Sequence, residues 1–161
     1  MTLPIAPPFL PMEAQQVADL PEGEAWQYEP KWDGFRCLVF RDGDHVDLQS
    51  KSAKPLARYF PDIVGHVLAL DAQQFVLDGE IVVPVNNVLS FEELLQRIHP
   101  AESRVRKLAA SSPGLFVAFD ILAEEAELLT ALPLRTRREK LQSFADEYFG
   151  KSEGMRLSPA T

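Results

Sequence analysis

Glu29, Lys31, Asp33 and Arg36 are gathered in the segment Glu29-Pro30-Lys31-Trp32-Asp33-Gly34-Phe35-Arg36. Pro30 excludes a helix interior and pushes Glu29 toward an extended conformation. In an extended chain, Glu29, Lys31 and Asp33 share one side and Trp32 takes the other. Three charged groups on one face, at the start of an apolar run, are a wasteful way to build a core. They suit either a polar site or a surface strand that ends in an Asp-Gly turn, and periodicity alone leaves both open. A second acid, Glu80, lies inside the apolar run Phe75-Val-Leu-Asp-Gly-Glu-Ile-Val-Val83. An unpaired carboxylate buried there would be costly, so a functional role is the better reading. His45, His66 and His99 are scattered without ligand spacing, so no metal site is proposed. No Gly-x-x-x-x-Gly-Lys loop is present to cradle phosphates.

The elements that must position these residues are mostly strands. Residues 1–24 read as a proline-rich lead-in with a short helix expected over Glu13–Leu20. Trp26–Tyr28 and Phe35–Arg41 read as strands, and Asp42-Gly43-Asp44 as the turn into a returning strand over His45–Ser50. Pro61 opens a helix through Ile63, Val64, Val67 and Leu68. Phe75–Val83 is a strand. Ser90 and Glu93 form a capping-box signature for a helix that Pro100 interrupts and residues 101–110 resume. Leu115–Leu122 is a further strand, and the longest helix follows Pro133 and ends at Gly150. Met155–Leu157 looks like the opening of another strand. Hairpins with singly inserted helices predict an α+β fold with mostly antiparallel sheets.

The chain has 161 residues, enough for one domain with a real core. Lys plus Arg is 16 against 24 Asp plus Glu, a net charge of −8. Phosphate contact supplies most non-specific DNA affinity, so an acidic chain is not a free-standing DNA-coating module. No window reaches the roughly 18–20 apolar residues of a membrane span, and no signal peptide is visible. The lone cysteine, Cys37, sits in the run Phe35–Phe40 and reads as core, in a reducing interior.

Lys31, Asp33, Gly34 and Arg36 form Lys-x-Asp-Gly-x-Arg, which resembles the first motif of the covalent nucleotidyltransferases: DNA ligases, RNA ligases and mRNA capping enzymes. Chance would place these four positions in about one chain of this length in a thousand. Further segments follow in the family's order. Leu48-Gln49-Ser50-Lys51 resembles the second block, where arginine is usual at the place of Lys51. Leu77-Asp78-Gly79-Glu80 resembles the Asp-Gly-Glu motif, and Val117-Ala118-Phe119-Asp120 the aromatic–Asp motif. Pro133-Leu134-Arg135-Thr136-Arg137-Arg138 resembles a ligase helix start. The resemblance covers about 25–161 and is closest to bacterial ATP-dependent DNA ligases of the C and D types.

That resemblance implies an ATP-grasp-like nucleotidyltransferase domain in which Lys31 attacks ATP, with Mg²⁺, and retains AMP. A lysine nucleophile must be neutral, yet an amine of pKa near 10.4 is well under about 0.1% neutral at pH 7, so its surroundings must favour the free amine. By the same resemblance Glu29 accepts from the adenine amino group, Arg36 and Glu80 hold the ribose, and Phe119 stacks on the base. Lys51 stands where a phosphate or nucleic-acid ligand is expected, although an ammonium lacks the bidentate fork of arginine. Asp33, Gly34, Asp78 and Gly79 read as structural at the site. Without the motif, Phe119 would read as core. The basic groups Arg104, Arg106 and Lys107, and Arg135, Arg137, Arg138 and Lys140, read as solvated helix faces or as a track for DNA phosphates.

Implied partners are nicked or broken double-stranded DNA and other repair proteins, in the bacterial cytoplasm at the nucleoid. Glu153-Gly154-Met155 superficially resembles the family's later glutamate motif, but Arg156 and Ser158 depart from it and it follows Phe119 too closely. Residues 25–161 therefore read as a partial adenylation domain, truncated before the later motifs and the OB domain. A sheet edge left unpaired after Leu157 would invite self-association. Two alternatives stay open: an RNA ligase or capping-type enzyme, and a non-catalytic nucleotide-binding remnant.

Overall fold

The computed structural model describes residues 2–161. Its centre is a six-stranded sheet in the order β2 (His45–Ser50), β1 (Phe35–Asp42), β3 (Gln74–Val82), β6 (Leu115–Glu124) and β7 (Glu127–Leu128), with β8 (Met155–Leu157) also against β6. The main pairings are antiparallel, as the hairpin pattern predicts, and the β6–β8 pair is parallel. The β1–β2 turn falls on Gly43, whose φ of 61° suits glycine.

Alternation along β1 and β3 divides the side chains between two faces. Cys37, Val39, Phe75, Leu77 and Ile81 enter the main core. There they meet Ile63 and Val67 of α1 (Pro61–Leu68), Leu94 of α2 (Phe91–Gln96), and Leu141 and Phe144 of α4 (Leu134–Tyr148). Cys37 is fully buried, and burial pushes its thiol pKa up, consistent with an inert core residue. Leu38, Phe40, Val76, Leu122 and Ala123 form a smaller cluster on the opposite face. Leu3, Ile5 and Phe9 of the lead-in cover it. Phe9 is fixed there by two bonds with the Gln49 side chain: its N–H donates to Oε1 at 2.7 Å and its carbonyl accepts from Nε2 at 2.5 Å.

The helix after Ser90 starts as the capping signature predicts, with Ser90 Oγ accepting from the Glu93 N–H at 3.2 Å. Pro100 separates it from α3 (Glu102–Ser111). Two expectations fail. Glu13–Leu20 is not helical: Val17 and Leu20 are exposed, and a short helix with no apolar face to bury is marginal in water. Trp26–Tyr28 is not a strand of the sheet. Tyr28 instead exchanges two backbone bonds with Thr161, at 3.2 and 3.0 Å. Two short hairpins were not anticipated. One joins β4 (Pro84–Val85) to β5 (Val88–Leu89) across Asn86 and Asn87, both at positive φ, and the other joins β6 to β7. Their strands are too short to show periodicity in sequence.

Candidate functional site

The segment 29–36 enters the sheet at the start of β1, and its alternation is as predicted: Glu29, Lys31 and Asp33 are exposed while Trp32 is partly buried. Trp32 Nε1 donates to Ser158 Oγ at 2.9 Å, which ties the segment to the chain beyond β8. Gly34 is needed for close approach. A Cβ there would strike the Ile81 carbonyl of β3, so no larger residue fits without moving backbone. Gly79 is constrained in the same way by the Val117 carbonyl and the Phe116 ring. Both glycines therefore let β1, β3 and β6 close around the site.

The antiparallel register sets Arg36 against Glu80 and Leu38 against Asp78. All four belong to the face that carries the smaller apolar cluster. Arg36 donates to Asp78 through two bonds, Nε to Oδ1 at 2.7 Å and Nη2 to Oδ2 at 2.6 Å. Its Nη2 also donates to the Met12 carbonyl of the lead-in at 2.8 Å. This fork-on-carboxylate geometry is the strong kind of ion pair. Asp78 is only 3% exposed, and desolvation raises its carboxyl pKa even with Arg36 opposing. Glu80 is likewise raised by desolvation, with Arg36 and the Gly34 N–H pulling the other way.

Phe119 owes its place to an irregularity. Gly79 pairs with Ala118 and Asp78 with Asp120, so Phe119 is an extra residue in a β-bulge. Bulges re-aim side chains and are common beside active sites. Phe119 is partly exposed rather than core, and the Arg36 guanidinium carbon lies 5.0 Å from its ring centroid. Glu29 is exposed by area, yet protein around its carboxyl raises its pKa by desolvation. Its Oε2 accepts from Gln27 Nε2 at 3.2 Å, and the charges of Arg138, Asp120 and Asp78 are all felt there.

Lys31 opens onto a cavity of about 1400 Å³. Asp33, Arg36, Lys51 and Glu80 share its lining, with Tyr59 and Phe91 among the apolar walls. The fold thus brings Lys31, Asp33, Gly34, Arg36, Lys51 and Glu80 around one space. Asp78 and Phe119 stand behind Arg36. Among the described residues no group of three or more His, Cys, Asp or Glu side chains converges as a metal site. No helix is long and apolar enough to cross a membrane.

Sequence reasoning missed three participants. Met12 takes part through its carbonyl, which no side-chain pattern reveals. Ser158 holds Trp32 across 126 positions. Arg137, grouped in the sequence reading with solvated or DNA-facing cations, is 7% exposed and grips Asp120, with Nε to Oδ1 at 2.9 Å and Nη2 to Oδ2 at 3.2 Å. It docks the start of α4 on β6 and has no solvent role.

Comparison with known proteins follows the same residues. A family model described as the ATP dependent DNA ligase domain matches residues 9–156. DNA ligase C of Mycobacterium tuberculosis is 48% identical over 141 residues, covering 88% of this chain and 39% of that protein. DNA ligase C1 of Mycolicibacterium smegmatis is 48% identical over 151 residues, covering 91% and 43%. The chain therefore spans about two fifths of the length of these curated relatives. Among solved structures, the ligase domain of M. tuberculosis LigD superposes with a TM-score of 0.64 at 25% identity, over 84% of this chain and 39% of that one. A mycobacterial DNA ligase D complexed with ATP and MES gives a TM-score of 0.62 at 24% identity, over 83% and 39%, and shares the fold.

Proposed function

Starting from a chain that belongs to the ATP-dependent DNA ligase domain family, we propose that Lys31 is its site of adenylylation, within a protein that seals breaks in double-stranded DNA during repair. The observation that carries this reading is the placement of Lys31: exposed at the mouth of the cavity, on a segment fixed by Trp32–Ser158, beside Arg36 and Glu80. A nucleophile held on a rigid support reaches a bound phosphate without further ordering.

In the proposed step Lys31 Nζ, as the free amine, attacks the α-phosphorus of ATP. A P–N bond forms, the P–O bond to pyrophosphate breaks, pyrophosphate departs, and the amine proton passes to solvent. AMP then moves to a DNA 5′-phosphate, and a 3′-hydroxyl displaces it as the strand is joined. Glu29 would accept from the adenine amino group, and Phe119 would stack on the base. Glu80 would hold the ribose, as would Arg36 once it exchanges its Met12 contact. Lys51 would face the phosphate side of the cavity. Mg²⁺ typically binds phosphate oxygens together with one or two carboxylates and water. Asp33 and Glu80 supply that number of carboxylates at the cavity, so the residues present suit such an ion.

The test is intact-mass measurement after incubation with ATP and Mg²⁺, followed by peptide mapping. One AMP on the peptide containing Lys31, absent from Lys31→Ala, is expected. AMP attached elsewhere, labelling that survives the substitution, or no attachment after prolonged incubation would overturn the reading.

A further inference from the structure

Arg138 stands apart from the other cations of α4. Arg137 beside it satisfies both oxygens of Asp120, so that acid offers nothing further. Arg138 Nη1 is shielded from water and has no hydrogen-bond partner. A buried guanidinium donor left unmade costs on the order of 1–3 kcal/mol, and such groups usually await a ligand or water. Arg135 next along the helix is simply exposed.

Glu29 lies within the electrostatic reach of Arg138. Its Oε2 is engaged by Gln27, which leaves Oε1 to accept from a ligand. One edge of the site thus presents a carboxylate acceptor and an unused guanidinium donor, close to Phe119 and Asp120. The edge of a purine that would meet both is an amino group beside an unprotonated ring nitrogen. Adenine has that order, with N6–H₂ next to N1. Guanine has the reverse, a carbonyl next to N1–H, and would set acceptor against acceptor and donor against donor.

We propose that Arg138 is a specificity residue of the nucleotide site, donating from Nη1 to adenine N1 while Glu29 accepts from the adjacent amino group. This rests on the nucleotide reading given above and adds a residue and an atom to it. Arg138 touches the base and takes no part in bond making.

The experiment is calorimetric titration of the 161-residue protein with ATP and with 1-deaza-ATP, in which C–H replaces N1. Mg²⁺ is withheld so that no transfer follows. A hydrogen bond to a charged donor predicts that 1-deaza-ATP binds about tenfold or more weakly. In Arg138→Ala, ATP should weaken by a similar factor and the two ligands should become equivalent. Equal binding of both ligands by the unsubstituted protein overturns the assignment and leaves the nucleotide site standing. Failure of that protein to bind any adenine nucleotide overturns both. The first comparison alters only the ligand, so it does not depend on how the variant folds.

Discussion

Arg36 and Asp78 meet fork to carboxylate across β1 and β3, at 2.7 and 2.6 Å, and the same guanidinium reaches the Met12 carbonyl. One pair thereby joins two strands, the lead-in and the Phe119 ring. Replacing Asp78 with Asn would strip Arg36 of its counter-charge while keeping the shape. We expect destabilisation of about 1–3 kcal/mol by denaturant unfolding. A change smaller than experimental scatter would show that the pair contributes nothing net.

The same variant reports on pH. The folded pKa of Asp78 is raised, desolvation being the largest cause, from an ordinary value of 3.8. Between 3.8 and the folded pKa the native state holds more protons than the unfolded one, so this group's contribution declines as pH rises through that window and is flat above it. Asp78→Asn should lack that decline. An unchanged slope in pH-resolved melts would remove Asp78 as its source.

Lys31→Ala should abolish AMP attachment and leave stability within about 0.5 kcal/mol, because the side chain is exposed and makes no packing contribution. Thermal melts beside mass measurement check both halves. A large loss of stability would mean that the lysine supports the fold.

Glu29→Ala should narrow the preference for ATP over GTP. A carboxylate near the base accepts from an amino group and repels a carbonyl oxygen, and loss of such a charged contact is worth on the order of tenfold or more. Competition binding that shows an unchanged preference would remove Glu29 from the base edge.

Gly79→Ala should destabilise by about 1–3 kcal/mol or more, since the added methyl collides with the backbone of β6 as well as with Phe116. The adjacent Asp78 and Glu80 would shift with it, so nucleotide binding should fall together with the melting temperature. Unaltered binding in a destabilised variant would show that the strand can yield without disturbing the site.

Much of this was legible in the residues. Alternation around Lys31, the Asp-Gly turn, the Ser90 cap and the acids inside apolar strands each follow from local rules that tertiary packing reinforced. What escaped were relationships that only register creates. A bulge at Phe119 has no composition of its own, and it decides that the ring is partly exposed instead of core. Arg137 and Arg138 are adjacent arginines, yet one is consumed by Asp120 and the other left unpaired, a division set by how α4 lands on β6. The lead-in misled because a polar, proline-broken segment reads as peripheral. Its apolar residues at 3, 5 and 9 close one side of the sheet, and a backbone carbonyl reaches Arg36.

The Trp32–Ser158 bond has a consequence for the order in which the molecule comes to exist. Its partners are 126 positions apart, and Tyr28 and Thr161 meet over a comparable span. Contacts of such separation close late, after local hairpins and helices have formed. A chain emerging from the ribosome would complete its central strands while the Lys31 segment still lacked its clasp, so reactivity would be acquired at the end of synthesis and folding, once there is a finished protein for the lysine to serve.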